Sequence, residues 1–256
     1  MAGVDVTELD DKVRQMYRQV AEEPLGAYHF ELGRDLAERL GYPADLLDRI
    51  PGGAVESFAG VGYFFDLADL RPGERVIDLG SGSGMDSLLA AAFVGPSGRV
   101  VGVDFTAEQL AKARRLTAAT GVHHVEFRDG RIEALPAADA GFDCVISNGV
   151  INLSPDKKQV FAEAARVLRP GGRLAIADIV TEQQLTESIV CNPDLWASCI
   201  GGASQQDAYR QAIEDAGLCV QQFRPNWYQF LSARARDASA TYGVRSISVL
   251  AVKPAP

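Results

Sequence analysis

The sequence predicts an α/β protein built on a mainly parallel, doubly wound sheet, and three observations carry that prediction. Apolar, β-favouring runs alternate with helical patterns through the middle of the chain, Pro/Gly punctuation separates them, and one strand runs straight into a glycine turn that opens a helix. With 256 residues and 47% hydrophobic content, the chain can bury a full core as one domain or as one domain plus a smaller cap.

Taken in order, Thr7–Glu22 reads as a helix, with Thr7 as N-cap and Asp10 in the capping-box position. Residues 1–70 are expected to form an N-terminal helical cap, 71–182 a nucleotide-binding core, and 183–256 a part that completes the sheet and the pocket. Arg71-Pro72-Gly73 precedes a strand at Val76–Leu79, which is followed by a helix at Met85–Phe93. The alternation continues with strand Arg99–Phe105, helix Thr106–Thr120, strands Val125–Arg128 and Phe142–Ser147, helix Lys157–Leu168 and strand Leu174–Val180. Helices near Pro193–Ile200 and Gln205–Ala216 follow. Strands at Val220–Arg224 and Ser246–Val252 then close a seven-stranded sheet as an antiparallel pair, with helices on both faces.

The densest chemical signal is Val76-Ile77-Asp78-Leu79-Gly80-Ser81-Gly82-Ser83-Gly84-Met85-Asp86, followed by Val100-Val101-Gly102-Val103-Asp104. The glycines let the backbone turn sharply and approach a ligand, and loop amides beside a helix N-terminus favour electron-rich ligand atoms. Asp104 ends the next strand, where a carboxylate can accept hydrogen bonds from both hydroxyls of a ribose. A dinucleotide fingerprint needs Gly-x-Gly-x-x-Gly, whereas this chain has Gly-x-Gly-x-Gly preceded by Asp78. That pattern resembles the first motif of class I (Rossmann-like) S-adenosylmethionine-dependent methyltransferases.

A narrower resemblance rests on Ser147-Asn148-Gly149-Val150-Ile151-Asn152-Leu153, Leu40-Gly41-Tyr42-Pro43, Gly130-Arg131-Ile132-Glu133 and Leu195-Trp196-Ala197-Ser198-Cys199-Ile200-Gly201-Gly202. The chain is similar there to the arsenite S-adenosylmethionine methyltransferases, over roughly residues 10–217. The resemblance implies S-adenosyl-L-methionine as methyl donor and S-adenosyl-L-homocysteine as product. It implies that Tyr17 approaches the sulfonium, Gly80 and Gly82 the methionine moiety, Asp104 the ribose, and Ile132 and Glu133 the adenine. Asp78, Ser81, Phe105 and Ser147 complete the expected cofactor set.

The departures fall on the acceptor side. The family holds trivalent arsenic through several thiolates, soft ligands for a soft centre. Here Gly149 and Val61 occupy two of its cysteine positions, no cysteine precedes Cys144, and only Cys199 matches a family thiol. The expected acceptor is therefore a small organic nucleophile attacked at C, N or O, aromatic or indole-like, in specialised metabolism. A second reading keeps arsenite, held by Cys199 and a substitute thiol such as Cys191. Cys144 and Cys219 read as small core residues. Readings from other classes are a nucleotide-dependent oxidoreductase and a non-catalytic S-adenosylmethionine-binding protein.

Tyr63, Gly149, Asn152, Trp196 and Cys199 are the expected substrate pocket. His29 is the candidate general base, since an imidazole accepts a proton near neutral pH, with Tyr28 beside it and Asn148 at a strand end on the ligand side as further catalytic candidates. His123 and His124 read as surface at the opposite end of the sheet. No metal site is expected. The net charge of −9, without a Lys/Arg run, argues against nucleic acid or an anionic membrane as partner. With no cleavable leader, membrane-spanning run or Cys-dense pattern, the expectation is a cytoplasmic monomer or homodimer acting on a small molecule.

Overall fold

The computed structural model describes residues 4–192, 195–196, 200–231 and 233–255. The first seventy residues carry helices α1 (Val6–Glu22), α2 (Arg34–Leu40), α3 (Ala44–Leu47), α4 (Gly52–Glu56) and α5 (Phe65–Ala68). Strand and helix then alternate: β1 (Arg75–Leu79), α6 (Met85–Val94), β2 (Arg99–Asp104), α7 (Ala107–Ala118), β3 (Val125–Asp129), β4 (Phe142–Asn148), a short 3-10 turn at Ile151–Leu153, α8 (Lys157–Val167) and β5 (Leu168–Thr181). The chain ends with α9 (Glu187–Val190), β6 (Ser204–Gln205), α10 (Gln206–Asp215), β7 (Cys219–Pro225), α11 (Ala233–Tyr242) and β8 (Arg245–Val252).

The long strands lie in the order β3-β2-β1-β4-β5-β8-β7, with the two-residue β6 pairing β5 off that path. β1 to β5 run parallel, and β8 is antiparallel to both β5 and β7. The order reverses between β1 and β4, where Leu79 stands opposite Ser147 while Asp78 stands opposite Gly102 of β2. Sheets of this kind bind ligands in the crevice beyond the strand C-termini at such a reversal.

Alternation along the strands splits the core between the two faces. Val76, Cys144, Ile146 and Ala175 pack toward α6 and the cap, whereas Ile77, Leu79, Val145 and Ile176 pack with Phe161 of α8 and Tyr209 of α10. Tyr42, Leu47 and Phe64 are fully buried in the same cluster as Leu89 of α6, so the cap and the sheet share one core. Each such side chain contributes about 1.5–3 kcal/mol by burial, which binds the cap firmly to the core.

Three details differ from the sequence expectation. The N-cap of α1 is Asp5, whose carboxylate accepts from the amides of Thr7 (2.9 Å) and Glu8 (3.1 Å), and this frees Asp10 for another role. β5 begins at Leu168, because Gly171 and Gly172 exchange backbone hydrogen bonds with Lys253 (2.9 and 2.8 Å) and draw the Pro-Gly-Gly turn into the strand. The last two long strands are antiparallel neighbours, but α11, with alanine at Ala233, Ala235, Ala238 and Ala240, lies between them. Of the helix expected at Pro193–Ile200, only Leu195, Trp196 and Ile200 are described. Cys199 lies outside the described residues. No helix among the described residues is long and apolar enough to cross a membrane.

Candidate donor and acceptor site

Beyond the C-termini of β1, β2 and β4 opens a cleft whose empty space, open solvent included, is about 1060 Å³. Its floor is the glycine turn. Gly80 has φ +71°, and a Cβ there would stand 2.4 Å from a Val150 methyl, so only glycine lets this turn lie under a ligand. The Ser81 hydroxyl is buried on the cleft wall without a hydrogen-bond partner in the protein, a polar atom waiting for a ligand.

Asp104 closes one side. Its carboxylate accepts from the Gly82 amide (2.9 Å) and the Thr106 amide (2.8 Å), and burial raises its pKa while these bonds oppose the rise. Further along, Glu133 accepts from the Ser154 hydroxyl at 2.5 Å, beside Ile132 and Phe105. Arg131 joins this wall to the cap through a two-pronged pair with Asp10 of α1 (2.6 and 3.0 Å). α1 is also tied to α7: Gln109 donates to the Tyr17 carbonyl (2.8 Å), and Lys112 donates to Ala21 O (3.0 Å) and Ser57 Oγ (2.7 Å). Burial lowers the Lys112 pKa. These bonds fix Tyr17 on the cleft wall.

The cleft brings together Tyr17, Asp78, Gly80, Ser81, Gly82, Asp104, Phe105, Ile132, Glu133, Asn148 and Gly149 of the expected site residues. It leaves out several others. The Ser147 hydroxyl is buried and donates to Leu79 O (2.8 Å), tying β4 to β1. Tyr28 donates to Glu23 O (2.8 Å) and stacks on Phe30, and the His29 ring meets Phe30 edge-on at 4.7 Å. The Tyr17 ring lies 6.2 Å from Phe30, so this aromatic group adjoins the cleft wall, and neither Tyr28 nor His29 lines the cleft. Tyr63 packs against Tyr42 at 5.0 Å, and Asn152 is buried within the 3-10 turn. Trp196 donates to Val190 O (2.6 Å) and takes the Lys157 ammonium over its ring at 4.9 Å. Tyr63, Asn152 and Trp196, expected in the substrate pocket, are not on the lining of this cleft.

Asn148 lines the cleft, but its amide is engaged. Its oxygen accepts from Val61 N (2.7 Å), and its NH2 group serves Tyr42 Oη (3.0 Å), Gly62 O (3.0 Å) and Asp86 Oδ2 (3.1 Å). Asn148 thus ties β4, the cap and α6 together at the cleft, where the sequence reading expects it to orient a substrate or the cofactor. Tyr42 and Asp86 are missed by the sequence reading, although Asp86 stands inside the glycine motif. Tyr42 donates to Asp86 Oδ1 at 2.8 Å. Burial lifts Asp86 to about 6 and, with the Asp86 charge nearby, lifts Asp78 to about 8. Phe58, Ala54 and Met85 supply the apolar wall, another feature without a sequence signal.

No cysteine lines the cleft among the described residues. Cys144 is fully buried and burial pushes its thiol up to about 12, Cys191 is half-buried, and Cys219 is exposed rather than a core residue because it opens the edge strand β7. Val61 and Gly149 are neighbours: a Cβ on Gly149, which has φ +71°, would stand 3.2 Å from a Val61 methyl. At the other end of the sheet His123 is exposed, and a His124 ring nitrogen lies 3.0 Å from Ala91 O.

The family model of a methyltransferase domain matches residues 70–217. The chain belongs to the arsenite methyltransferase-like class I methyltransferases. It is 41% identical over 221 residues to an arsenite methyltransferase of Halobacterium salinarum, covering 86% of this chain and 56% of that relative. The chain thus spans little more than half the length of that curated relative. It is 33% identical over 181 residues to a ubiquinone/menaquinone biosynthesis C-methyltransferase of Hahella chejuensis, covering 62% of this chain and 72% of the relative. Among solved structures, an arsenic(III) S-adenosylmethionine methyltransferase from Chlamydomonas reinhardtii superposes with a TM-score of 0.66 at 32% identity, over 88% of this chain and 75% of that one. The cofactor of this methyltransferase is S-adenosylmethionine, and the glycine floor, the unpartnered Ser81 hydroxyl and the Asp104 carboxylate fit it.

Proposed function

We propose that this methyltransferase moves a methyl group from S-adenosylmethionine to a small, uncharged organic nucleophile, at C, N or O, with an aromatic or indole-like molecule as the leading acceptor. The observation that carries the reading is the make-up of the cleft: Tyr17, Phe58, Met85 and Val150 give it apolar walls, and no described thiol reaches it. Of the ionisable groups lining it, Asp10, Asp86, Asp104 and Glu133 are acidic, Asp78 is pushed by burial to about 8, and Arg131 is held by Asp10 and Glu133. Such a surface repels carboxylate- or phosphate-bearing acceptors and accepts neutral ones.

When bound, S-adenosylmethionine supplies an electrophilic methyl on a sulfonium centre. Tyr17 presents a π face toward that charge, Asp104 orients the ribose, and Glu133 with Ile132 receives the adenine. α1, latched by Arg131–Asp10 and Gln109–Tyr17, roofs the cleft and excludes water. Orientation and proximity then supply most of the rate, since the displacement needs nucleophile, methyl and sulfur in line.

A second reading, arsenite as acceptor, is favoured by the similarity to arsenite methyltransferases and would use Cys199 with Cys191. The test is one assay with two arms: methyl transfer from labelled S-adenosylmethionine to a panel of neutral aromatic acceptors, and to arsenite with excess thiol. Turnover of a panel member without arsenite methylation supports the proposal. Arsenite methylation that Cys199→Ser abolishes overturns it.

A further inference from the structure

We propose that Asp86, aimed by Tyr42 and Asn148, is the counter-charge for the ammonium group at the methionine end of the donor, an inference that rests on the methyltransferase reading of the cleft. A donor of this kind brings two cationic centres, the sulfonium and the α-ammonium, and the demethylated product keeps the second.

The acids of the cleft divide by what already occupies them. Asp10 is taken by Arg131 (2.6 and 3.0 Å), and Glu133 by Ser154 (2.5 Å) and Arg131 (3.5 Å). Asp104 is held by two backbone amides on the ribose side. Asp78 and Asp86 remain, both on the cleft wall at the glycine turn. Asp78 accepts from Ser87 Oγ at 2.6 Å. Asp86 receives one neutral donor on each oxygen, Tyr42 Oη (2.8 Å) and Asn148 Nδ2 (3.1 Å).

A carboxylate oxygen accepts about two hydrogen bonds, so each Asp86 oxygen keeps a free lone-pair direction. Among the described residues lining the cleft no cation is placed to neutralise it, and a buried carboxylate with only neutral partners is an incomplete electrostatic unit. The two donors come from different parts of the fold, the α2–α3 connection and the end of β4, and both hold the carboxylate in one orientation. An ammonium carries three N–H donors and no acceptor, the complement of that surface. The titratable groups facing Asp86 are Tyr42, Tyr63 and Asp78. All are acidic or neutral, and burial raises the pKa of both carboxylates, as expected for a site completed by a cationic ligand.

The experiment truncates the ligand and the residue together. Binding of S-adenosylhomocysteine and of 5′-methylthioadenosine, which lacks the amino-acid end, is measured calorimetrically on the wild-type chain and on Asp86→Asn. We expect the variant to lose roughly tenfold or more in affinity for S-adenosylhomocysteine, and less than about twofold for the truncated ligand, the scale of a charge-assisted hydrogen bond. Retained binding of the truncated ligand also shows that the variant is folded. Equal losses for both ligands, or no loss for either, overturn the proposal. A second measurement supports it independently: near pH 6, in buffers of different ionisation enthalpy, S-adenosylhomocysteine should release more protons from the wild type than from Asp86→Asn, and equal release counts against Asp86. If the wild type binds neither ligand, the donor site itself is refuted, a result distinct from failure of the Asp86 assignment alone.

Discussion

Replacing Asn148 with alanine separates a tie within the fold from a group acting at the reacting atoms. The amide connects Val61 N, Gly62 O, Tyr42 Oη and Asp86 Oδ2 over 2.7–3.1 Å. Tyr42 has one hydroxyl proton, which goes to Asp86 Oδ1 at 2.8 Å, so the uncompensated losses fall on Val61 N, in a residue 1% exposed, on Gly62 O and on Asp86 Oδ2. A buried polar group left without its partner costs about 1–3 kcal/mol. Three such groups give a destabilisation of about 3–9 kcal/mol, comparable with the roughly 5–15 kcal/mol that holds a domain folded. Urea unfolding followed by tryptophan emission measures it as a fall in midpoint with unchanged slope. A loss below about 1 kcal/mol, the scale of an ordinary surface substitution, combined with a large fall in kcat would refute the reasoning and return Asn148 to the chemistry.

Asp78 and Asp86 bind a proton more tightly in the folded chain, near 8 and 6, than in the unfolded chain, near the ordinary carboxylate value. Between those values the folded state holds more protons, so stability of the ligand-free chain should fall as pH rises from about 5 to 8, and a Tm that rises over this range would contradict the burial of the pair. Saturating S-adenosylhomocysteine should flatten that slope. Arg131→Ala removes the latch to Asp10; because the arginine side chain is 39% exposed, the cost in stability should stay under about 1 kcal/mol while S-adenosylhomocysteine binding weakens, and unchanged affinity would mean that α1 closes without it. Lys157, which donates to Ser154 O and covers the Trp196 ring, is held below the usual lysine range by burial. In a Trp227→Phe background, Trp196 emission should titrate in alkaline buffer below that range, and the transition should vanish in Lys157→Met.

The sequence alone determined the donor half of this protein. A strand, three glycines and two strand-end acids are local in the chain, and local steric and hydrogen-bonding rules decide what they build, so the floor at Gly80 and the acid at Asp104 were legible. The alternating pattern likewise dictated the parallel sheet, because a two-residue period and a helical period cannot share one segment. What only the tertiary structure decided is which distant residues meet. Asp86 is held on the cleft wall by Tyr42, 44 positions away, which donates to it. Asp10 left its expected capping role because Asp5 took the helix end and Arg131, 121 positions away, took its carboxylate. His29 and Tyr28 carry suitable chemistry and both pack against Phe30, Tyr28 stacked on its ring and His29 edge-on to it, a contact that residue type alone does not set. Val61 and Gly149, separate family positions in the sequence, became neighbours, with Gly149 on the cleft lining. Residue type sets what a side chain can do, and the packing of distant elements sets which side chains face the ligand.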